Sequence, residues 1–345
     1  MVFSKKAIAL ALLAVFAITT AAVAQPNHLQ PGSALIFPLY DSAPGAGTVI
    51  CITNLNDDNV YCGNSDFRRG DIMVHYQYID GATWREFDRF EFLTPGDTLC
   101  VLADLHNPEQ DSGFLVVTAV DPSDMDKTVD FDHLIGSCIV VQSGFNFLWS
   151  YTPYSFRALP GDGAPADLCN LPSTDSDADG ACDWDGDEYD LFPAELYVDS
   201  FFQENGNFTN QLTLLSMAGA DYETEVGVLF WNNIEQKFSR TFRFTCWYSG
   251  ALSDISAIVT NLGGDADEIG QGAVENGWAS FTGRRILDGS GNPVQNDGGG
   301  NAIPPMLGVF AQFIDSTDFA GGHALHYRGS LDGLEFLTGD GDAQN

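Results

Sequence analysis

The stretch DSDADGACDWDGDEYD, from Asp175 to Asp190, divides the chain into two halves. It is the most acidic segment of the sequence, and chain of β-rich character lies on both sides of it. Eight acidic residues fall within its sixteen positions, with no basic residue nearby in the sequence, so its carboxylates repel one another when the segment folds. We therefore interpret the segment as a joint between two related β-rich halves.

The Asp residues of this joint have the spacing of a calcium-binding loop. Asp175, Asp177 and Asp179 alternate and Gly180 follows, which is the D-x-D-x-D-G opening of such a loop. Calcium takes six to eight oxygen ligands, which short Asp side chains on a tight turn can supply. The predicted ligands are Asp175, Asp177, Asp179 and Asp183, with Asp185, Asp187 and Asp190 completing that site or forming a second one.

Two overlapping Asp sets with Cys182 between them resemble a thrombospondin type 3 calcium repeat, and the first set resembles an EF-hand loop. The resemblance covers residues 175–190 and implies bound calcium, with the number of ions left open. An EF-hand carries Glu at its twelfth position, where this chain has Gly186, and type 3 repeats come in tandem, whereas this one is single. The alternative is a solvated acidic linker that self-repulsion keeps extended. A disulfide between Cys169 and Cys182 would close the first half of the loop.

The N-terminus has the order of a secretory signal peptide. Lys5 and Lys6 precede an apolar stretch, Ala7 to Ile18, that is too short to span a membrane, and Ala22-Val23-Ala24 forms an A-x-A cleavage site. The form of this leader is bacterial. We predict cleavage after Ala24, and therefore an extracellular or periplasmic protein.

The net charge and the cysteine content limit the possible binding partners and the cellular compartment of the protein. With 14 basic and 48 acidic residues the net charge is −34, which repels nucleic acid and anionic membranes. No apolar run of the mature chain is long enough for a membrane span. All seven cysteines follow the leader, so disulfides are expected after export. Because the number is odd, at least one thiol stays unpaired in a monomer, and we predict that Cys246 is a free, buried thiol of the second half.

Composition and patterning indicate an all-β fold. The chain has 25 Phe and 36 Gly and few helical patterns, and segments such as TVICITN (48–54) and IMVHYQYI (72–79) read as strands with alternating or β-branched residues. We predict two tandem antiparallel β-sandwiches joined by the Asp-rich linker. The predicted divisions are a signal peptide (1–24), a first β-sandwich (25–158), the linker (159–192), a second β-sandwich (193–330) and an acidic tail (331–345).

Short landmarks recur in the same order in both halves, which favours an internal duplication over two unrelated sandwiches of similar composition. The matched pairs are Phe90-Glu91-Phe92 with Phe242-Arg243-Phe244, Gly113-Phe114 with Gly277-Trp278, Leu134-Ile135-Gly136 with Met306-Leu307-Gly308, and Phe147 with Phe319. A leader followed by GSALIFPLYD and TVICITN resembles uncharacterised secreted β-sandwich proteins of environmental bacteria, and this resemblance implies no activity.

Recognisable catalytic motifs are missing from the sequence. It contains no G-x-S-x-G elbow, no P-loop and no dinucleotide fingerprint. His323 and His326 are three residues apart, and on a regular strand such residues face opposite sides, so we do not expect them to share a metal ion. Core packing is the favoured role of most Trp residues, with a sugar-stacking platform as the alternative. Trp184, inside the acidic segment, is expected to be partly exposed or placed over the ion site.

These observations favour an exported, non-enzymatic protein with a structural or binding role at the cell surface or in a matrix, stabilised by calcium. Its expected partner is a protein or a polysaccharide. The alternatives are a secreted carbohydrate-binding protein and, third, a secreted hydrolase, whose paired carboxylates cannot be recognised from sequence spacing.

Overall fold

A computed structural model describes residues 30–63, 66–142, 147–159, 173–174, 184, 188–204, 206–263, 275–295, 300–314 and 319–331. Strands make up 61% of it and helices 5%, so the predicted all-β class is confirmed. The predicted signal peptide lies outside the described residues.

The first half consists mainly of strands, and its longest connection runs from residue 55 to residue 71. These strands are β1 (Ala34–Asp41), β2 (Gly47–Asn54), β3 (Ile72–Asp80), β4 (Glu86–Leu93), β5 (Thr98–Leu102), β6 (Ser112–Asp121), β7 (Asp124–Thr128), β8 (Leu134–Gln142), β9 (Phe147–Tyr151) and β10 (Tyr154–Phe156). A one-turn helix, α1 (Ala103–His106), lies between β5 and β6.

The second half has a similar succession of elements. Its strands are β11 (Pro193–Phe202), β12 (Phe208–Ser216), β13 (Glu223–Asn232), β14 (Lys237–Thr245), β15 (Trp247–Ala251), β16 (Asn276–Leu287), β17 (Met306–Ile314), β18 (Phe319–Ala324) and β19 (His326–Ser330). The short helix α2 (Leu252–Ile255) and a 3₁₀ helix (Ala257–Thr260) follow β15.

The strands form four antiparallel sheets, two from each half. The first half contributes the orders β10-β1-β6-β3-β4, with β7 beside β6, and β5-β2-β8-β9. The second half contributes β19-β11-β16-β13-β14 and β15-β12-β17-β18. The two halves therefore have the same strand order, apart from β7.

The prediction of two tandem β-sandwiches is wrong, because the four small sheets form a four-bladed β-propeller. The halves also share one hydrophobic core: buried residues of the first half pack together with Leu215, Leu307 and Phe313 of the second. The physical reason is visible in β1 and β6, which are buried along almost their whole length and therefore covered on both faces. A sandwich whose outer faces meet solvent would expose every second residue of these strands.

Side chains from each half reach into the other. The Tyr154 hydroxyl lies 2.9 Å from the Gly308 carbonyl oxygen and 3.1 Å from that of Leu325. The Trp247 indole N–H donates to the Pro38 carbonyl at 2.9 Å. Trp247 also lies flat against Gly81, where a Cβ would overlap the ring. These contacts fix the two halves against each other.

The sequence landmarks occupy equivalent places in the two sheet pairs. Gly113 of β6 pairs with the last residue of β3, and Gly277 of β16 pairs with the last residue of β13. Phe147 and Phe319 begin β9 and β18. A β-bulge interrupts β1 after Phe37, and another interrupts β11 at the matching place. The duplication and the domain boundaries stay predictions.

A disulfide joins Cys51 of β2 to Cys100 of β5. At the equivalent positions of β12 and β15, the hydroxyl groups of Thr213 and Ser249 hydrogen-bond at 2.9 Å instead. Cys246 is a free, buried thiol, as predicted, and so is Cys138, which the sequence interpretation missed. The predicted pair of Cys169 and Cys182 lies outside the described residues.

The contact between Tyr154 and the second half can be tested by removing one oxygen atom. Tyr154→Phe removes the single O–H donor that the Gly308 and Leu325 carbonyl groups share. The Gly308 carbonyl keeps the Leu325 backbone N–H, so the Leu325 carbonyl is the group that loses most, and we expect a loss of about 1–3 kcal/mol in the free energy of unfolding. Tyr76→Phe is the matched control, because the buried Tyr76 hydroxyl has no partner among the described residues. Urea unfolding should show the control to be neutral or more stable. Equal losses in both variants would contradict the assigned role of Tyr154.

Candidate functional site

The described ends of the Asp-rich segment are attached to the first half. Ser173 forms a backbone bridge with Val129, and the hydroxyl of Thr174 donates to that of Thr128 at 2.6 Å. Trp184 is only 7% exposed and stacks on Tyr189, with ring centroids 4.6 Å apart. The expectation that Trp184 is partly exposed is therefore wrong, whereas its alternative placement over an ion site stays a prediction. This residue belongs to the shared core, and the segment is anchored around it.

Most of the predicted calcium ligands cannot be placed. Those outside the described residues are Asp175, Asp177, Asp179, Asp183, Asp185 and Asp187. Asp190 is described and its side chain is 1% exposed. Its carboxylate accepts a hydrogen bond from the Arg157 backbone N–H at 3.0 Å and pairs with the guanidinium group at 3.3 Å. Burial raises the pKa of Asp190, and its contacts with Arg157 oppose that rise. The calcium site stays a prediction, and the structure gives Asp190 a protein partner.

A second carboxylate, Asp132, lies half-buried beside this ion pair. One oxygen of Asp132 accepts hydrogen bonds from the Ser33 hydroxyl at 2.8 Å and from the Ala158 backbone N–H at 3.0 Å. Asp132 thus ties the residue before β1 to the chain after β10. Burial raises the pKa of Asp132 to about 7, and the nearby charge of Asp130 adds to the rise.

The raised pKa of Asp132 predicts a pH dependence of stability. Its pKa is about 7 in the folded protein against a usual value of 3.8, so the folded state holds this proton more tightly between those values. The stability that this proton contributes is complete below about pH 4 and is lost as the pH rises through 7. Asp132→Asn keeps the acceptor oxygen without the charge, so we expect it to be more stable than the wild type at pH 8 and similar to it at pH 4.

Thermal unfolding between pH 4 and 8 would measure this effect. Asp126→Asn removes the same charge from an exposed position and serves as the control. Parallel pH profiles for the wild type and Asp132→Asn would show that Asp132 is not the responsible group.

Two histidines and a carboxylate meet at the surface of the second half. The Nε2 atom of His323 lies 3.3 Å from Oδ1 of Asp199, and the Nε2 atom of His326 lies 3.6 Å from Oδ2 of the same residue. The two imidazole rings are 5.2 Å apart. Among the described residues, this is the one group of three or more potential metal ligands whose ligand atoms all lie within 4.8 Å of one another.

An interruption between two strands explains why the two histidines do not face opposite sides, as the sequence interpretation expected. Strand β18 ends at Ala324 and β19 begins at His326, so the intervening Leu325 belongs to neither. Leu325 is buried, and its backbone N–H donates to the Gly308 carbonyl at 2.9 Å. The alternation of a regular strand does not continue through this break. His323 and His326 therefore reach the same carboxylate.

The surrounding structure orients two of the three side chains. Asp199 lies in the bulge of β11, between Val198 and Phe201, where the regular pairing with β16 is interrupted. Bulges re-aim side chains and are frequent beside functional sites. The Nδ1 atom of His323 lies 2.8 Å from the Ala324 carbonyl oxygen, which can only accept, so Nδ1 carries the proton. In the neutral ring, the lone pair of Nε2 then faces Asp199.

Two of the described tryptophans of the second half cover one face of each other. Trp231 and Trp278 stack on each other with ring centroids 3.7 Å apart and an angle of 3° between the planes. Lys237 lies over the outer face of this pair at Trp231, and Tyr197 lies beside Trp278. One face of each ring is therefore unavailable to a ligand, and the sugar-stacking alternative stays a prediction. Trp149 is buried in the shared core.

Comparison with known proteins gives no family and no neighbour: no protein-family model, no curated protein and no solved structure matches the chain. Within the described residues, no helix has the length and apolar character needed to cross a membrane.

Proposed function

We propose that the protein is an exported, non-enzymatic structural or binding protein of the cell surface or an extracellular matrix, stabilised by calcium in its Asp-rich segment. The observation that carries this proposal is the attachment of the segment at Thr174, Trp184 and Tyr189. A solvated linker has no reason to bury a Trp and a Tyr against the core, whereas a metal-binding loop needs fixed ends that hold its carboxylates together.

Electrostatics supports the same function. Arg157 is paired with Asp190, and no Lys or Arg occurs between Arg157 and Lys237, so the segment's other carboxylates have no basic residue close in sequence. Calcium relieves repulsion among such groups and favours oxygen ligands. The net charge of −34 also favours a neutral or basic partner, either a protein or a polysaccharide, over any polyanion.

The disulfide between Cys51 and Cys100 supports export, because such bonds persist mainly in oxidising compartments. We expect the exported protein to begin at Gln25, since the cleavage site ends at Ala24. Mass spectrometry of the mature protein would measure this. An exported form that retains residues 1–24 would contradict the predicted cleavage.

Calcium should stabilise the folded protein through the Asp-rich segment. With free calcium a hundredfold above the dissociation constant, mass action adds about 2.7 kcal/mol to the free energy of unfolding. We expect the double variant Asp177→Ala and Asp179→Ala to lose this increment. Thermal unfolding with calcium and with a chelator would measure it for each protein.

The matched control is Asp124→Ala with Asp126→Ala, which removes two exposed acids of β7 and should keep the response to calcium. If the wild type is equally stable with calcium and with chelator, the segment is an acidic linker without a calcium site. Binding to a glycan array would favour the carbohydrate-binding alternative. Hydrolysis of glycans, esters or peptides, lost on replacing one carboxylate or His, would contradict the non-enzymatic assignment.

A further inference from the structure

We propose that Asp199, His323 and His326 form a binding site for Zn²⁺. This site is separate from the Asp-rich segment in sequence and in ligand type. It offers two imidazole nitrogens and one carboxylate, a set that suits Zn²⁺, whereas calcium favours oxygen ligands alone.

The spacing of the ligand atoms is close to what Zn²⁺ requires. With metal–ligand distances of about 2.0–2.1 Å, two ligands of a tetrahedral site lie roughly 3.3 Å apart. The His323 Nε2 to Asp199 Oδ1 distance is already 3.3 Å. His326 Nε2 lies within 4.8 Å of the other two ligand atoms. Its side chain is 62% exposed, so a small rotation toward the ion meets little resistance.

The arrangement is poorly satisfied unless a cation lies within it. When His323 is neutral, its proton is on Nδ1, because Nδ1 donates to the Ala324 carbonyl. Its Nε2 lone pair then faces a carboxylate oxygen at 3.3 Å, and two acceptors at that distance repel each other. A proton or a metal ion on Nε2 removes this repulsion. A proton shared with the carboxylate would need only one histidine. Because a second imidazole is directed at the same carboxylate, the arrangement favours a metal ion over a proton.

The bond from Nδ1 to a backbone carbonyl is also the usual outer contact of a metal-binding histidine. It fixes the tautomer and the orientation of the ring, and so prepares Nε2 to bind the ion. The ring of His323 further packs edge-on against Phe310, with centroids 5.9 Å apart. His323 is therefore held in place before any ion binds.

The fold by itself does not require these residues. The positions of the first half that match His323 and His326 are Tyr151 and Tyr154, which are buried, and the position that matches Asp199 is Pro38. The Tyr151 hydroxyl bonds to the backbone of Leu39 in the bulge of β1. The same bulge and the same strand crossing are thus built without any metal ligand. Three ligands converge in the second half because its residue types differ.

The site would leave a coordination position open to a cleft. Asp199 and His323 line a cleft of about 480 Å³, together with Phe310, Gln312 and Phe319. Three protein ligands and an open position distinguish this arrangement from a closed structural zinc site with four protein ligands. Water or a small molecule in the cleft would complete the coordination.

Zinc titration by calorimetry in saturating calcium would test the site, because calcium first occupies the Asp-rich segment. We expect one Zn²⁺ per chain, and at least about tenfold weaker binding in both His326→Gln and Asp199→Asn, since even loss of an outer contact costs 10–100-fold. Both residues are exposed, so these variants should fold. The matched control is His75→Gln, which removes an imidazole paired with Asp88 at 2.8 Å but lacking a second histidine. It should bind Zn²⁺ like the wild type.

Cobalt provides a second readout, because Co²⁺ bound in place of Zn²⁺ absorbs visible light. The wild type and His75→Gln should give the same visible spectrum, and His326→Gln should lose it. A wild type that binds no Zn²⁺, or a His326→Gln variant that binds it unchanged, would overturn the proposal. The calcium titration of the Asp-rich segment is independent, so either site can fail without the other.

Discussion

The buried hydroxyl of Tyr154 holds the two halves together, along with the Trp247 indole and the shared hydrophobic core. It lies within hydrogen-bond distance of the Gly308 and Leu325 carbonyl oxygens, in an interior from which water is excluded. Burying a polar group without a partner is costly, so this contact specifies how β10 sits against β17 and the β18–β19 break. Around it, the shared core covers β1 and β6 on both faces. Each half therefore depends on the other for part of its burial.

This dependence makes the two halves chemically unequal although their strand order is the same. The chain from β9 to β10 packs against the second half. Its residues Tyr151 and Tyr154 are almost fully and fully buried. In the matching connection from β18 to β19, Leu325 is buried but the His326 side chain is 62% exposed to solvent. Aromatic residues with satisfied hydroxyl groups suit the first place, because a charged group there would need full compensation. At the second place there is no such penalty, so imidazoles and a carboxylate can gather there.

Local patterns in the sequence predicted individual strands. The arrangement of the sheets depends on long-range contacts, which these patterns do not show. Alternation in IMVHYQYI predicted β3, whose burial alternates as expected. The runs ALIFPLY of β1 and FLVVTAV of β6 are almost continuously apolar, which indicates strands covered on both faces. The sequence interpretation did not use this signal. The arrangement of four sheets depends on which faces meet across more than a hundred residues, and no local pattern records that. The His cluster was missed for a local reason, since one buried residue, Leu325, breaks the strand period on which the interpretation relied.

The distribution of charge explains why this protein is expected to bind cations. Three of its ten arginines lie against buried carboxylates: Arg157 pairs with Asp190, and Arg243 and Arg285 pair with Glu225, whose side chain is 5% exposed. A buried carboxylate without its partner would be strongly destabilising, so these bases are not free for other acids. The remaining acidic excess must be balanced by ions from solution. The sequence of the Asp-rich segment offers acids without nitrogen ligands, and for this reason calcium is the ion proposed there. At Asp199 two imidazoles join the carboxylate, and the same need for positive charge favours Zn²⁺.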